Sequence, residues 1–252
     1  MRYEPRWYRA TMGEWRFRSF TVTVGESDLW IGVDPASYRG SMTTFVYETV
    51  SRLRADMVGW AHQNPSFLTA LTPVPAAPEA PAVVRAMIAA GEAAGVGPMA
   101  AVAGAIAERV GRRLREHYGC RSVVVENGGD IWASAEEPIL FRVYAGTSPL
   151  SERVAIEIAP SQMPLGVCTS AGTVGHSLSF GRADAALVAM PDAAMADAFA
   201  TAFGNRLSCA ADIEPQLAVA QSIPHLVAAL FIVGDRLGVW GAVRLVPCEK
   251  NE

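Results

Sequence analysis

Between residues 14 and 34 apolar and polar positions alternate. Phe17, Phe20, Val22, Val24, Leu29, Ile31 and Val33 carry the apolar phase, and Gly25-Glu26-Ser27-Asp28 interrupts it. A period of two broken by a turn cluster predicts a β-hairpin, which Asp34-Pro35 closes. From Met42 to Ala61 the period lengthens, and Phe45, Val46, Val50, Leu53, Met57 and Val58 fall on one side of a helix. Residues 64–81 carry five prolines and read as a Pro-rich surface loop. A short helix is expected over Val83–Ala90. The clearest helix runs from Pro98 to Tyr118 and has two stripes. Met99, Val102, Ile106, Val110 and Leu114 form an apolar one; Ala100, Gly104, Ala107 and Gly111 form one of small residues. Small residues at helical spacing let another backbone come close, so burial on two sides is expected. Arg109, Arg112, Arg113 and Glu116 are expected to face water.

Strands are expected at Ser122–Val125, Ile139–Tyr144, Val154–Ile158 and Ala183–Met190, then a helix from Ala193 to Phe203. Leu226–Val233 and Leu237–Val246 flank Gly234-Asp235 and read as a second hairpin. Strands at both ends with helices between them point to an α+β fold with largely antiparallel sheets. The chain of 252 residues, 51% hydrophobic, suffices for one large domain or two close-packed halves.

Charge removes several function classes. There are 21 basic and 25 acidic residues, with no overall basic face for nucleic acid. The locally basic stretch Arg2–Arg18 reads as an edge strand with solvated arginines rather than a phosphate-binding arm. Lys250 is the only lysine. A core Schiff-base lysine and a P-loop lysine are therefore excluded. Cys120, Cys168, Cys209 and Cys248 form no C-x-x-C pair and suit neither zinc nor a disulfide framework. Without an apolar leader or a membrane-length apolar run, a cytoplasmic protein is expected.

Three constellations could carry chemistry. Glu126-Asn127-Gly128-Gly129-Asp130 follows a buried strand; its glycines could admit a ligand, although spacing alone favours an ordinary turn. Gly166 to Gly181 is rich in glycine and small polar side chains, among them Cys168, Thr169, Ser170, Gly172, Thr173, His176, Ser177 and Ser179. Donors with little bulk suit an anion such as a phosphate, and ligand binding is preferred over a packed strand because β-branched bulk is scarce. Asp197 and Thr201, with Asn205 a turn further on, share one helical face and could hold a hard cation. By spacing alone, a Thr201 hydroxyl bonded back to the Asp197 carbonyl, beside a solvated Asp197, is the preferred reading. Gly95-Val-Gly97-Pro-Met-Ala100 fits a dinucleotide fingerprint but follows helix, not strand, and is rejected. Gly175-His-Ser177-Leu-Ser179 half-matches a nucleophile elbow and makes Ser177 a minor hydrolase candidate.

The order of these pieces resembles the ApbE-like superfamily, which contains the flavin transferases that attach FMN to proteins. The likeness is greatest to an uncharacterised cytoplasmic branch. Gly97–Leu114 followed by Val123-Val-Val-Glu-Asn-Gly-Gly-Asp-Ile131, then Thr169-Ser170-Ala-Gly172, then Ala196-Asp197-Ala-Phe-Ala-Thr201 carry the match. The resemblance implies an ApbE-like (T-fold-like) domain over residues 1–252. It implies Mg²⁺ at Asp197 and Thr201, and a pocket for FAD or FMN lined by Asn127, Gly128, Gly129 and Asp130, with Thr169, Ser170, Gly172, Thr173 and Ser177. A protein substrate is implied as well. The family's H-I-x-D-P motif is replaced by Gly175–Gly181, where His176 is the remnant and the catalytic candidate.

The leading expectation is thus a Mg²⁺-dependent flavin-nucleotide protein, transferring FMN from FAD to a protein, with a small phosphate-containing ligand and no nucleic-acid or membrane partner. One alternative is a thiol or persulfide relay in which His176 activates Cys168. Another is a non-catalytic small-anion binding module.

Overall fold

A computed structural model describes residues 16–172 and 181–248. The expected hairpin is present as β1 (Arg18–Val24) and β2 (Ser27–Val33), joined by a turn with Gly25 at φ 59°. Next come α1 (Met42–Gln63), the single-turn α2 (Ser66–Thr69) and α3 (Ala82–Ala94), which ends at Gly95 in the left-handed region. A 3-10 turn at Pro98–Ala101 leads into α4 (Val102–Tyr118), terminated by left-handed Gly119. The strands β3 (Val123–Asn127), β4 (Asp130–Ser134), β5 (Ile139–Arg142), β6 (Val154–Ile158), β7 (Leu165–Ser170) and β8 (Ala185–Met190) follow. The chain continues through α5 (Ala193–Arg206), α6 (Ile213–Gln221), β9 (Ala228–Val233), β10 (Arg236–Gly241) and β11 (Arg244–Pro247).

Eight strands form one antiparallel sheet in the order β1-β2-β3-β4-β7-β8-β9-β10, and three form a second in the order β11-β6-β5. This is the expected mixed α+β, largely antiparallel architecture. Helices cover one face of the large sheet. At one end α1, α4 and α5 pack on β1–β4, with α3 packed against these helices, around Val46, Met87, Ile106, Leu114 and Trp132. At the other, α5 and α6 enclose Phe203 and Phe231 against β7–β9. The small sheet covers the opposite face, where Phe141, Ile156 and Ile158 meet Val167, Leu187 and Leu230. Burial of such side chains contributes about 1.5–3 kcal/mol each and dominates the fold's stability.

Two expectations change. The 64–81 stretch is not merely a surface excursion: Phe67 and Ala80 are buried, and a Cβ at Gly97 would lie 1.7 Å from the Ala70 carbonyl oxygen. The last hairpin splits after Gly241, at φ 123°, so that β11 leaves the large sheet to pair with β6. Any side chain at Gly241 would meet the Val227 carbonyl oxygen at 2.3 Å. Among the described residues, no single helix is long and apolar enough to cross a membrane.

Candidate functional site

Strands β3 and β4 are joined by Gly128-Gly129, at φ 72° and 101°, with Asn127 paired to Asp130. The segment is therefore the ordinary hairpin turn that spacing favours, since two consecutive positive φ values call for glycine. Cross-strand partners point to one face. Asn127 and Asp130 share the helix-covered face with Val125 and Trp132. Gly111 on α4 makes room for the Trp132 ring, which a Cβ there would meet at 2.1 Å.

Helices α4 and α5 cap one another. The residue before α4 is Ala101, which has no polar side chain. Asp197 supplies the missing acceptor from α5: its Oδ2 accepts from the Gly104 N–H at 2.9 Å. In return, Glu108 Oε2 on α4 accepts from the Ala193 N–H at the start of α5, at 2.7 Å. Each carboxylate lies at the positive end of the other helix, where its charge is favoured. The Cβ-free Gly104 permits this approach, because a Cβ there would sit 2.1 Å from the Ala193 carbonyl oxygen. Asp197 is thus buried and engaged, which overturns the solvated reading. Glu108 escaped the sequence reading. A charged residue four positions beyond Gly104, on the buried small-residue stripe, was the available signal.

The same α4 turn is tied to the hairpin. Asn127 Nδ2 donates to the Ala103 carbonyl at 3.2 Å, one residue from the N–H that Asp197 accepts. Asn127, Asp197 and the opening of α4 therefore meet within one turn of helix.

The first third of the 166–181 segment is the buried central strand β7, not a ligand loop. Its lack of bulk has a packing cause: a Cβ at Gly166 would lie 2.4 Å from Ala193 Cα, so α5 rests directly on the strand. Cys168 is fully buried, and its thiol donates to the Ala193 carbonyl at 3.5 Å. Ser170 packs against Gly204, near the end of α5. Thr169 is half-buried and Gly172 exposed, whereas Thr173, His176, Ser177 and Ser179 lie outside the described residues. Gly172 packs against Gly181, and Gly181 against the Gly204 carbonyl. Gly181, and Gly172 through it, thus stand beside the end of α5, and half-buried Thr201 lies one turn from Asp197 on that helix.

Electrostatics single out this cluster. Burial pushes the Asp197 carboxyl up to about 7, although the Gly104 and Ala103 N–H groups favour its ionised form. Asp130 is pushed well above the ordinary carboxylate range by burial first and by the Asp197 charge second; the Cys168 thiol and Thr169 N–H act against this. Burial, then Asp130 and Asp197, raise the Cys168 thiol. A buried thiol held protonated is the reverse of what thiolate chemistry needs, so the arrangement does not favour the Cys168 relay. Among the described residues, Asp130 Oδ1 is buried and has no hydrogen-bond partner. Above Gly129, by contrast, nothing lies within 4 Å of where a Cβ would be, leaving room beside the turn. Among the described residues, no three His, Cys, Asp or Glu side chains converge as a metal site.

This α+β architecture is the fold of the flavin transferases of known structure. The apo crystal structure of flavinyl transferase ApbE from Pseudomonas stutzeri matches with a TM-score of 0.60 over 89% of this chain and 94% of that one, at 14% identity. Flavin transferase ApbE from Vibrio cholerae matches with a TM-score of 0.60 over 88% and 96%, at 13% identity. At such identities the likeness is one of fold. The chain belongs to the family described as AbpE bacteria, whose model matches residues 9–224. A UPF0280 protein of Methanococcus aeolicus is 39% identical over 226 residues, 88% of this chain and 89% of the relative. A UPF0280 protein of Methanothrix thermoacetophila is 46% identical over 164 residues, 65% of this chain and 68% of the relative.

Proposed function

We propose that this protein is a flavin-transferase-like enzyme that binds FAD with Mg²⁺ and passes FMN to a protein acceptor, the pyrophosphate bond of FAD breaking and AMP leaving. The observation that carries the reading is the double tie to the first turn of α4, by Asn127 at Ala103 and by Asp197 at Gly104. It gathers the strand-end turn, the small-residue strand β7 and the Asp197–Thr201 face of α5 around one place, as a single nucleotide pocket requires. The fold shared with the flavin transferases supports it.

Hard oxygen donors suit Mg²⁺. Asp197 holds its carboxylate at the opening of α4, and Thr201 lies on the same helical face, so the donor set fits the ion. Mg²⁺ would there neutralise the charge of the nucleotide pyrophosphate. The chain itself would contribute shape and orientation. Among the described residues the turn is open beside Gly129, which leaves space for the nucleotide, and Asn127 fixes the turn to α4. Thr169, Ser170 and Gly172 would line the neighbouring strand end, with Thr173, Ser177 and His176 on the segment that follows. The reciprocal caps hold Asp197 in position before any ligand arrives.

Calorimetric titration of the purified chain with FAD in the presence of Mg²⁺ tests the binding step. Wild type is expected to bind and Asp197→Ala to lose binding. No FAD binding, together with no effect of Asp197→Ala, sinks the reading. Mass spectrometry of a candidate acceptor incubated with protein, FAD and Mg²⁺ tests the transfer. Tight FAD binding without FMN attached to any acceptor would favour the small-anion binding module instead.

A further inference from the structure

Asp130 is the buried acid that the packing leaves unanswered. It is 8% exposed, and among the described residues its Oδ1 has no hydrogen-bond partner. A buried polar atom without a partner costs about 1–3 kcal/mol, more when it is charged. The charges that act most strongly on it have its own sign: Asp197 first, then Glu126.

Its position follows from the register. Ile131 pairs with Val167, so Asp130 stands beside Cys168. Cys168 also reaches the Ala193 carbonyl, and Asp197 lies one turn further along α5 from Ala193. Asp130 on β4 and Asp197 on α5 therefore approach one space from the sheet and helix sides. Fold stability alone does not ask for two such carboxylates there. A cation between them would answer both the orphaned oxygen and the repulsion.

We propose that Asp130 is a second carboxylate ligand, through Oδ1, of the divalent cation held at Asp197. The inference rests on the cation-binding part of the proposed function. It assigns Asp130 to the metal rather than to the flavin. Cys168 stays a protonated neighbour, its thiol donated to the Ala193 carbonyl, and does not ligate. With two carboxylates and Thr201, the remaining positions of an oxygen-seeking ion are left to backbone, water or phosphate oxygens.

The test uses the full chain without nucleotide and Mn²⁺ as the probe, followed by electron paramagnetic resonance and calorimetry. Wild type is expected to take up one Mn²⁺. Asp130→Asn, which keeps shape and removes charge, should weaken uptake at least about tenfold, the loss seen even for groups one layer out from a metal. Asp130→Glu should recover part of it. An Asp130→Asn protein that binds Mn²⁺ as wild type does, while Asp197→Asn does not, overturns the assignment and leaves the flavin reading standing. A wild type that takes up no Mn²⁺ overturns the cation site and this inference together, and titration with FAD alone then judges the flavin pocket separately. A second readout needs no variant. The side-chain carboxyl ¹³C resonance of Asp130 should move with Mg²⁺ in step with that of Asp197, and an unmoved resonance overturns the assignment.

Discussion

Asp34 and the pair Asp130–Asp197 are equally buried, each 8% exposed, yet they are opposites electrically. Asp34 sits between the end of β2 and the start of β3. Its Oδ1 accepts from the Ser37 N–H at 3.1 Å and hydroxyl at 2.9 Å, and its Oδ2 from the N–H groups of Arg121 at 2.9 Å and Ser122 at 3.2 Å. Burial works to raise the Asp34 carboxyl, but the bonds from Ser122, Ser37 and Arg121 together outweigh it and hold it below its ordinary value. At the other site Asp197 receives bonds from only one helix end, Asp130 keeps an oxygen with none, and both carboxyls are pushed up. A carboxylate that serves the fold is saturated with donors. One that is kept short of them is held for something the fold itself does not supply.

The sharpest way to break this comparison is to remove the saturated member. Asp34→Ala orphans the N–H groups of Ser37, Arg121 and Ser122, which join the first hairpin to β3. We expect a loss of about 2–4 kcal/mol, since each unsatisfied buried donor costs about 1–3 kcal/mol and the bonds from Ser37 and Arg121 are only part-buried. Urea unfolding measures it, and FAD or Mn²⁺ affinity under native conditions should stay unchanged. A ligand-affinity loss as large as that of Asp197→Ala would erase the distinction between the two regions.

Next in size is Gly104→Ala. Its Cβ would lie 2.1 Å from the Ala193 carbonyl oxygen and 3.0 Å from Asp197 Cβ, so α4 and α5 must separate. Overpacking of this kind costs about 1–3 kcal/mol. Unlike Asp34→Ala, it should also impair ligand binding, because it pulls Asp197 away from the turn it caps. Calorimetry alongside urea unfolding shows whether stability and binding fall together, and a variant that loses stability with wild-type binding would mean that the mutual caps do not position Asp197.

What the sequence made legible divides along similar lines. Helices α1, α4 and α5 have long periods that survive in the structure, and Val154–Ile158 alternates plainly enough to be read to the residue. Strands β4 and β7 were implied by the turn before one and by the family likeness of the other but given no bounds, for a physical reason. Asp130–Ser134 is buried at all five positions and so has no alternation to read. Leu165–Ser170 is thin because α5 presses on it, and thinness mimics a ligand loop. α6 was overlooked because most of its positions are exposed or half-buried, leaving a weak apolar face. Within the site, the motif residues Asn127, Asp130 and Asp197 were visible as residue types. Their burial, the mutual helix caps and the role of Glu108 were not, because each depends on contacts between residues about 25 to 93 positions apart.

Acidity should separate the two regions by sign. A carboxyl lowered in the folded state, such as Asp34, contributes stability that is present above its unfolded value and lost as pH falls through the folded one. That window lies below its ordinary value of 3.8. A carboxyl raised in the folded state does the reverse. Asp197 favours the folded form fully below 3.8, and that favour drains away as pH rises toward about 7. Metal-free protein should therefore be most stable at pH ~4, about where the two windows meet, and weaken toward neutrality. Urea unfolding across the range checks this. Asp34→Asn should shrink the acid limb and Asp197→Asn the neutral one, so a flat wild-type profile from 3.8 to about 7 would contradict the raised carboxyls.

The smallest expected effect is the most informative. Asp130→Asn in metal-free protein replaces a buried carboxyl with a neutral group of nearly the same shape, whose oxygen can still face the Thr169 N–H. It removes the repulsion with Asp197 and Glu126 that raises this group. Stability at pH 7 should change by no more than about 1 kcal/mol, and in the stabilising direction, because a buried charge without a counter-charge is the costlier occupant. Asp34→Asn at the same pH should instead destabilise, since it gives up a charge that four donated bonds favour. Opposite signs from the same substitution at equally buried positions would establish that the sheet end at Asp130 gives up stability for its carboxylate. Equal losses at both would make Asp130 one more structural acid.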